Sequence, residues 1–189
     1  AGVGAGLTFA NLTALSIGIG LSCALDTFCS QEYGRDPRSK KLGIFLQRGC
    51  VAVLLVFLPV ALFYFYSDGF LRLFMKDELA TLAAYWLKLS IPITIPQLLT
   101  TCVSKFAQAQ CEPKVPMYAA TSGLATLPPA LYICRDLGIE GVAIALAINR
   151  WLTLITVVTF VAKTEKLRHN FGGFSGAAFH IEDLIKYYK

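Results

Sequence analysis

Residues 1–35 read AGVGAGLTFANLTALSIGIGLSCALDTFCSQEYGR, and the first 25 of them carry no charged side chain. A helix crosses the ~30 Å hydrocarbon layer of a bilayer with ~20 mostly apolar residues, so this run is long enough to span. Small residues recur at Gly2, Gly6, Gly18 and Gly20, where they let helix backbones approach closely in lipid. A glycine-rich phosphate loop is excluded, because neither a preceding strand nor the lysine of such a loop is present. Past the apolar rod come Asp26, Gln31, Glu32 and Arg35 at roughly helical spacing, then a basic cluster of Arg38, Lys40 and Lys41.

The same pattern repeats along the chain. Apolar stretches at residues 4–29, 42–66, 79–106, 115–134 and 141–162 are separated by short charged clusters. Hydrophobic residues make up 56% of the 189 and charged residues 15%, well under the quarter usual in soluble domains. Mean hydropathy is +0.59. The fold class predicted is all-α, a polytopic membrane bundle of about five transmembrane helices filling residues 1–166. A signal peptide does not explain the first stretch, which lacks a basic leader and precedes four more apolar stretches. The absence of a starting Met sets the expectation that the chain begins inside a longer protein. Residues 167–189, ending IEDLIKYYK, are expected to be a cytoplasmic linker and the approach to another helix.

The net charge of +5 is not a nucleic-acid signature once it is sorted by loop. The connectors after stretches one, three and five and the C-terminal tail hold 12 Lys and Arg; those after two and four hold 4. Basic short loops are retained in the cytoplasm, which places the first set there, in a plasma, vacuolar or other endomembrane. The six cysteines form no CxxC pair and read as small hydrophobes rather than a zinc site or disulfide framework. His169 and His180 lack metal-site spacing and read as surface residues. No nucleophile, paired acids or metal cluster gathers at one depth, so neither an enzyme nor a cofactor is expected.

Polar residues inside the stretches are the informative exceptions, since such groups face a neighbouring helix or a water-filled cavity. Asn11 heads a glycosylation sequon that lies too deep to be glycosylated; helix contact and cavity lining both fit it. Gln97, Thr100 and Thr101 follow Pro92 and Pro96, whose missing donors bend a helix and free carbonyls; a mid-membrane polar patch is expected, for packing or for substrate. Pro128 and Pro129 suggest a similar break. Asp26 is expected about one turn inside a helix end, able to carry a proton or to pair with Arg48. Arg150 lies mid-stretch with no acid at its depth, and its partner is left open.

In order, 11-NLTALSIGIGLSCALDTFCSQEYGR-35, 43-GIFLQR-48, 106-FAQAQCEPKVP-116, 138-GIEGVAIALAI-148 and 172-GGFSGAAF-179 resemble the motif series of eukaryotic multidrug and toxic compound extrusion (MATE) transporters over essentially the whole chain. The resemblance implies a twelve-helix, two-lobe antiporter of which this chain supplies helices two to six. Such antiporters export organic cations, xenobiotics or secondary metabolites against protons or sodium by alternating access. It implies membrane lipid, a small cationic or amphipathic substrate, and the first helix and C-terminal lobe as partners. By motif match Asn11 and Gln97, with Thr100 and Thr101 beside them, become cavity candidates. Asp26, Gln31, Gln47, Arg48, Gln108 and Gln110 become helix-end closure residues. Arg150 stands where the plant pattern usually has an aromatic. The key acids of such proteins lie outside the sequence, so coupling is not located in it. A lipid-linked flippase of related architecture, which would favour a more basic cavity, and a non-transporting structural subunit are the alternatives.

Overall fold

The computed structural model describes residues 2–173. Helix α1 (Gly2–Ala10) passes through a single π turn (Asn11–Leu15) into α2 (Ser16–Arg35), making one continuous rod. It is followed by α3 (Lys41–Arg72), α4 (Asp77–Ala109), α5 (Lys114–Ile133), a 3₁₀ turn (Arg135–Leu137), α6 (Gly138–Lys163) and the short α7 (Glu165–Phe171). The helices overrun the apolar stretches because their polar ends are also helical: α2 carries on past Asp26 to Arg35. It stops at Asp36, which is extended, as the residue before a proline prefers. Asp26 therefore sits about two and a half turns from the helix end, deeper than the single turn expected.

Among the described residues four helices are long and apolar enough to cross a membrane: Gly2–Arg35, Lys41–Arg72, Asp77–Ala109 and the stretch ending in α6. The fifth expected span, α5, does not qualify on apolarity, diluted by its Thr, Ser, Gly and Pro residues. Its register shows that it traverses the same layer nonetheless. Tyr118 packs on Phe160, Asn149 donates to Gly123, and Gly141 lies against Cys134. These pairs run in opposite directions along the two chains, so α5 lies antiparallel to α6 from end to end. Twenty residues rise ~30 Å, enough to span.

The prolines do not end the helices that hold them. Pro59, Pro92, Pro96, Pro128 and Pro129 all lie inside helices that continue through them. Each missing donor leaves the carbonyl four residues earlier without its helical partner, at Leu55, Lys88, Pro92, Leu124 and Ala125; elsewhere in α4, Thr100 donates to the Pro96 carbonyl at 2.8 Å and Thr94 to that of Ser90 at 2.8 Å.

Helix α4 is the hub, packing against α1, α2, α3, α5 and α6. The first rod runs parallel to it. Gly2 meets Leu82, Gly6 meets Ala83 and Trp86, Gly18 meets Leu98, and Lys105 reaches Asp26. A Cβ on Gly18 would stand 2.1 Å from the Leu98 side chain, so glycine there sets the spacing between the rods. Gly20, expected to do the same, faces open space. Helix α3 runs antiparallel to the first rod, with Phe9 on Phe63 and Phe28 on Phe45. Helix α6 runs parallel to α4, from Tyr85 against Glu140 at one end to Gln110 against Lys166 at the other. In lipid, where apolar burial gives little drive between helices, such close van der Waals fits and interhelical hydrogen bonds carry association.

Candidate functional site

All the connectors richest in Lys and Arg gather at one end of this bundle, because the ends of α2, α4 and α6 and the starts of α3 and α5 meet there. Helix α7 lies across that end. It is too short to be stable alone and is held by what it touches. Leu167 and Asn170 are its buried residues. The Asn170 amide donates to the Gln110 side-chain oxygen at 2.7 Å and to the Pro37 carbonyl at 3.0 Å. Lys166 donates to the Gln110 carbonyl at 2.7 Å and stands over the Tyr33 ring. The Gln47 amide donates to the Gly173 carbonyl at 2.8 Å. Gly172, in the left-handed region at φ +62, ends the helix as C-terminal glycines do. Three helix ends and one loop are thus tied by about two turns of helix.

The approach is as close as backbones allow. A Cβ on Gly43 would stand 2.0 Å from the Phe171 carbonyl oxygen, so only glycine at 43 lets α7 seat on α3. Beside it, the Glu32 carboxylate accepts from the Ser39 hydroxyl at 2.7 Å and pairs with Arg35 at 2.7 Å, fixing the turn between α2 and α3. Of the closure candidates, Gln47 and Gln110 enter this latch, whereas Gln31 and Gln108 are exposed. Arg48 is half-buried one residue beyond Gln47. The cation that reaches Asp26 is Lys105, at 3.4 Å, from α4 rather than from α3.

Mid-bundle, the polar candidates lie on different helices. Asn11 lies on the exposed side of the π turn. The turn itself is held by α3: the fully buried Tyr64 hydroxyl bonds Thr13 Oγ1 at 2.7 Å and lies 3.5 Å from the Ala10 carbonyl. A π turn leaves carbonyls without their usual helical partner and often marks a functional place in a helix. Gln97 lies on α4. Trp86, Leu89 and Ile93 of α4 pack with Ala143, Leu146 and Ala147 of α6. One further turn along each stripe brings Gln97 and Arg150, which therefore share a depth on facing helix surfaces. Both are half-buried, and the Arg150 Nε has no hydrogen-bond partner. Thr101 donates back to the Gln97 carbonyl at 2.9 Å, as Thr100 does to Pro96. Nearby, the buried Asn149 amide donates to the Gly123 carbonyl at 2.8 Å and to Thr126 Oγ1 at 2.7 Å, pinning α6 to α5.

Sequence reasoning missed Tyr64, Asn149, Asn170 and Lys166. Asn149 was discoverable as a lone amide beside Arg150 in an apolar stretch; Tyr64, among Phe63, Phe65 and Tyr66, offered no such contrast. The six cysteines are free. The tail motif beyond residue 173, with His180, lies outside the described residues.

The MatE family model matches residues 1–133, more than half of the chain. The chain belongs to the MatE family. Its members are membrane transporters rather than enzymes, and this chain is an integral membrane protein segment. Among curated relatives, Protein DETOXIFICATION 17 of Arabidopsis thaliana is 30% identical over 176 residues, covering 91% of this chain and 37% of the relative. Multidrug and toxin extrusion protein 2 of Pongo abelii is 28% identical over 89% of this chain and 30% of its own length. The crystal structure of the eukaryotic MATE transporter AtDTX14 superposes with a TM-score of 0.86 at 22% identity, covering 99% of this chain and 42% of that one. The chain thus spans about two fifths of DETOXIFICATION 17 and of AtDTX14, and the bundle is a MATE-type fold.

Proposed function

We propose that this MatE chain is the N-terminal lobe, helices two to six, of a two-lobe antiporter. The whole protein exports organic cations, xenobiotics or secondary metabolites in exchange for protons or sodium. Residues 1–166 form the lobe, and the connectors after its first, third and fifth rods face the cytoplasm. The observation that carries this reading is the pair of coverages: nearly all of this bundle matches under half of a MATE transporter, with names of extrusion and detoxification proteins among its relatives.

The geometry gives the lobe a division of labour. The latch at α7 makes the cytoplasmic end move as one piece, which alternating access by rocking lobes requires. Asn11, on the open face of the first rod, and Gln97, Thr100 and Thr101 on α4 are the substrate-cavity residues of this reading. Arg150 sets the electrostatics at the depth of Gln97. Binding of the coupling ion elsewhere in the protein would bias one arrangement by differing in affinity between the two.

The test uses the full-length protein in liposomes, with a fluorescent organic cation and an imposed pH or sodium gradient. Gradient-dependent dye movement is expected, with the effective gradient naming the coupling ion, and Gln97→Leu and Asn11→Leu are expected to slow it without loss of folded protein. No gradient-dependent movement of any cation tested overturns the assignment.

A further inference from the structure

Helices α3 and α6 flank α4 without closing over it, leaving a groove of about 450 Å³. Leu99 and Val103 of α4 form its floor, Val51 of α3 and Leu154 and Val158 of α6 its walls, and Arg168 of α7 its mouth. Val158 is 49% exposed, so the groove opens sideways, toward what surrounds the helices. Arg168 also lines a second, polar recess of about 560 Å³ with Arg38, Lys166 and His169. Three permanent cations there face one carboxylate, Glu165. The Arg168 guanidinium has no hydrogen bond or ion pair with any described residue.

We propose that this groove is a binding site for one anionic phospholipid. An acyl chain lies along Leu99, Val103, Leu154 and Val158, and the phosphate sits in the basic recess against Arg168. Three observations fit this occupant better than another helix. The groove is narrow and apolar along the bilayer depth and turns cationic only beyond Lys163, where α6 ends and the headgroup layer begins. Arginine matches a phosphate geometrically, with two parallel donors in one fork. Basic pockets between transmembrane helices hold anionic headgroups in general. An acyl chain in this groove contacts α3, α4, α6 and α7 together, so it would brace the latch. The site stands on the membrane placement of the helices and not on the transport reading.

The experiment takes the full-length protein in detergent and counts retained lipid by native mass spectrometry, comparing phosphatidylglycerol with phosphatidylcholine of identical acyl chains. One phosphatidylglycerol is expected to be retained about fivefold better, the equivalent of ~1 kcal/mol for one arginine at a headgroup. Arg168→Gln is expected to abolish the preference, and Val158→Trp, which fills an exposed groove wall, to abolish retention of both. A benzophenone side chain at position 158 is expected to give adducts of lipid mass on irradiation. Equal retention of the two lipids, retention unaffected by Val158→Trp, or a 158 cross-link to another peptide of the same protein would each overturn the proposal.

Discussion

Replacing Gly43 with alanine tests whether one backbone contact holds the latch. The added Cβ would stand 2.0 Å from the Phe171 carbonyl oxygen and 2.6 Å from its carbon, and real Cβ contacts essentially never fall under 3.0 Å. Neither neighbour is a flexible side-chain tip, so α7 must withdraw by about 1 Å. That shift takes the Gln47–Gly173 hydrogen bond from 2.8 Å beyond hydrogen-bonding range. The two bonds of the Asn170 amide to Gln110 and Pro37 are stretched likewise. Losing two or three bonds at ~1 kcal/mol each weakens the docking of α7 by roughly 3 kcal/mol, or about a hundredfold in the docked-to-undocked ratio. Hydrogen–deuterium exchange of the full-length protein in nanodiscs reads this directly. Amides of residues 165–172 should lose about two orders of magnitude of protection, by the same conversion, while those at the centre of α4 stay unchanged. Gln47→Ala, which removes one bond and no backbone space, should cost far less. Unaltered exchange across α7 in Gly43→Ala would refute the reasoning, since the contact would then not be the one that seats the helix.

Three other outcomes follow from the packing. Tyr64→Phe removes only the hydroxyl that bonds Thr13 at 2.7 Å; thermal stability of the purified protein should fall by an amount corresponding to ~1 kcal/mol, and Thr13→Val combined with it should add little, because the two residues share that bond. Asn149→Ala should weaken the α5–α6 contact by about 0.6 to 1.7 kcal/mol, the range found for interhelical bonds in a membrane, with exchange rising at 123–126 and not in α3. Arg150→Gln should raise the thermal stability if the half-buried cation costs what unpaired arginines cost at depth, and should shift the preference of dye transport toward cations.

The helical spans were legible because a bilayer imposes one-dimensional demands: apolar length, charge at the ends, and a basic bias of loops can all be read along a sequence. The gathering of the basic connectors at one end followed from the same count. Partners across helices were not legible in that way. Asp26 meets Lys105 rather than Arg48 because the first rod lies parallel to α4 at an offset of about eighty residues, a register set by Gly2, Gly6 and Gly18. Spacing along the chain carries no trace of that offset.

One asymmetry in the bundle bears on how such a lobe can work. At the end carrying α7, three helix ends and a loop are joined through Gln110, Asn170, Lys166 and Gln47. At the opposite end Tyr85 and Glu140 join α4 to α6 at a solvent-accessible surface, and α5 hands over to α6 through the Arg135–Leu137 turn. Between them lie the π turn, Gln97 and Arg150, the places where helix geometry or polarity departs from an apolar rod. A body clamped at one end transmits motion from there as a unit, whereas local adjustment is concentrated where backbone bonding is already irregular. The sequence supplies both properties with few residues: glycine at 43 permits the clamp, and Asn11 begins the turn that relaxes the rod.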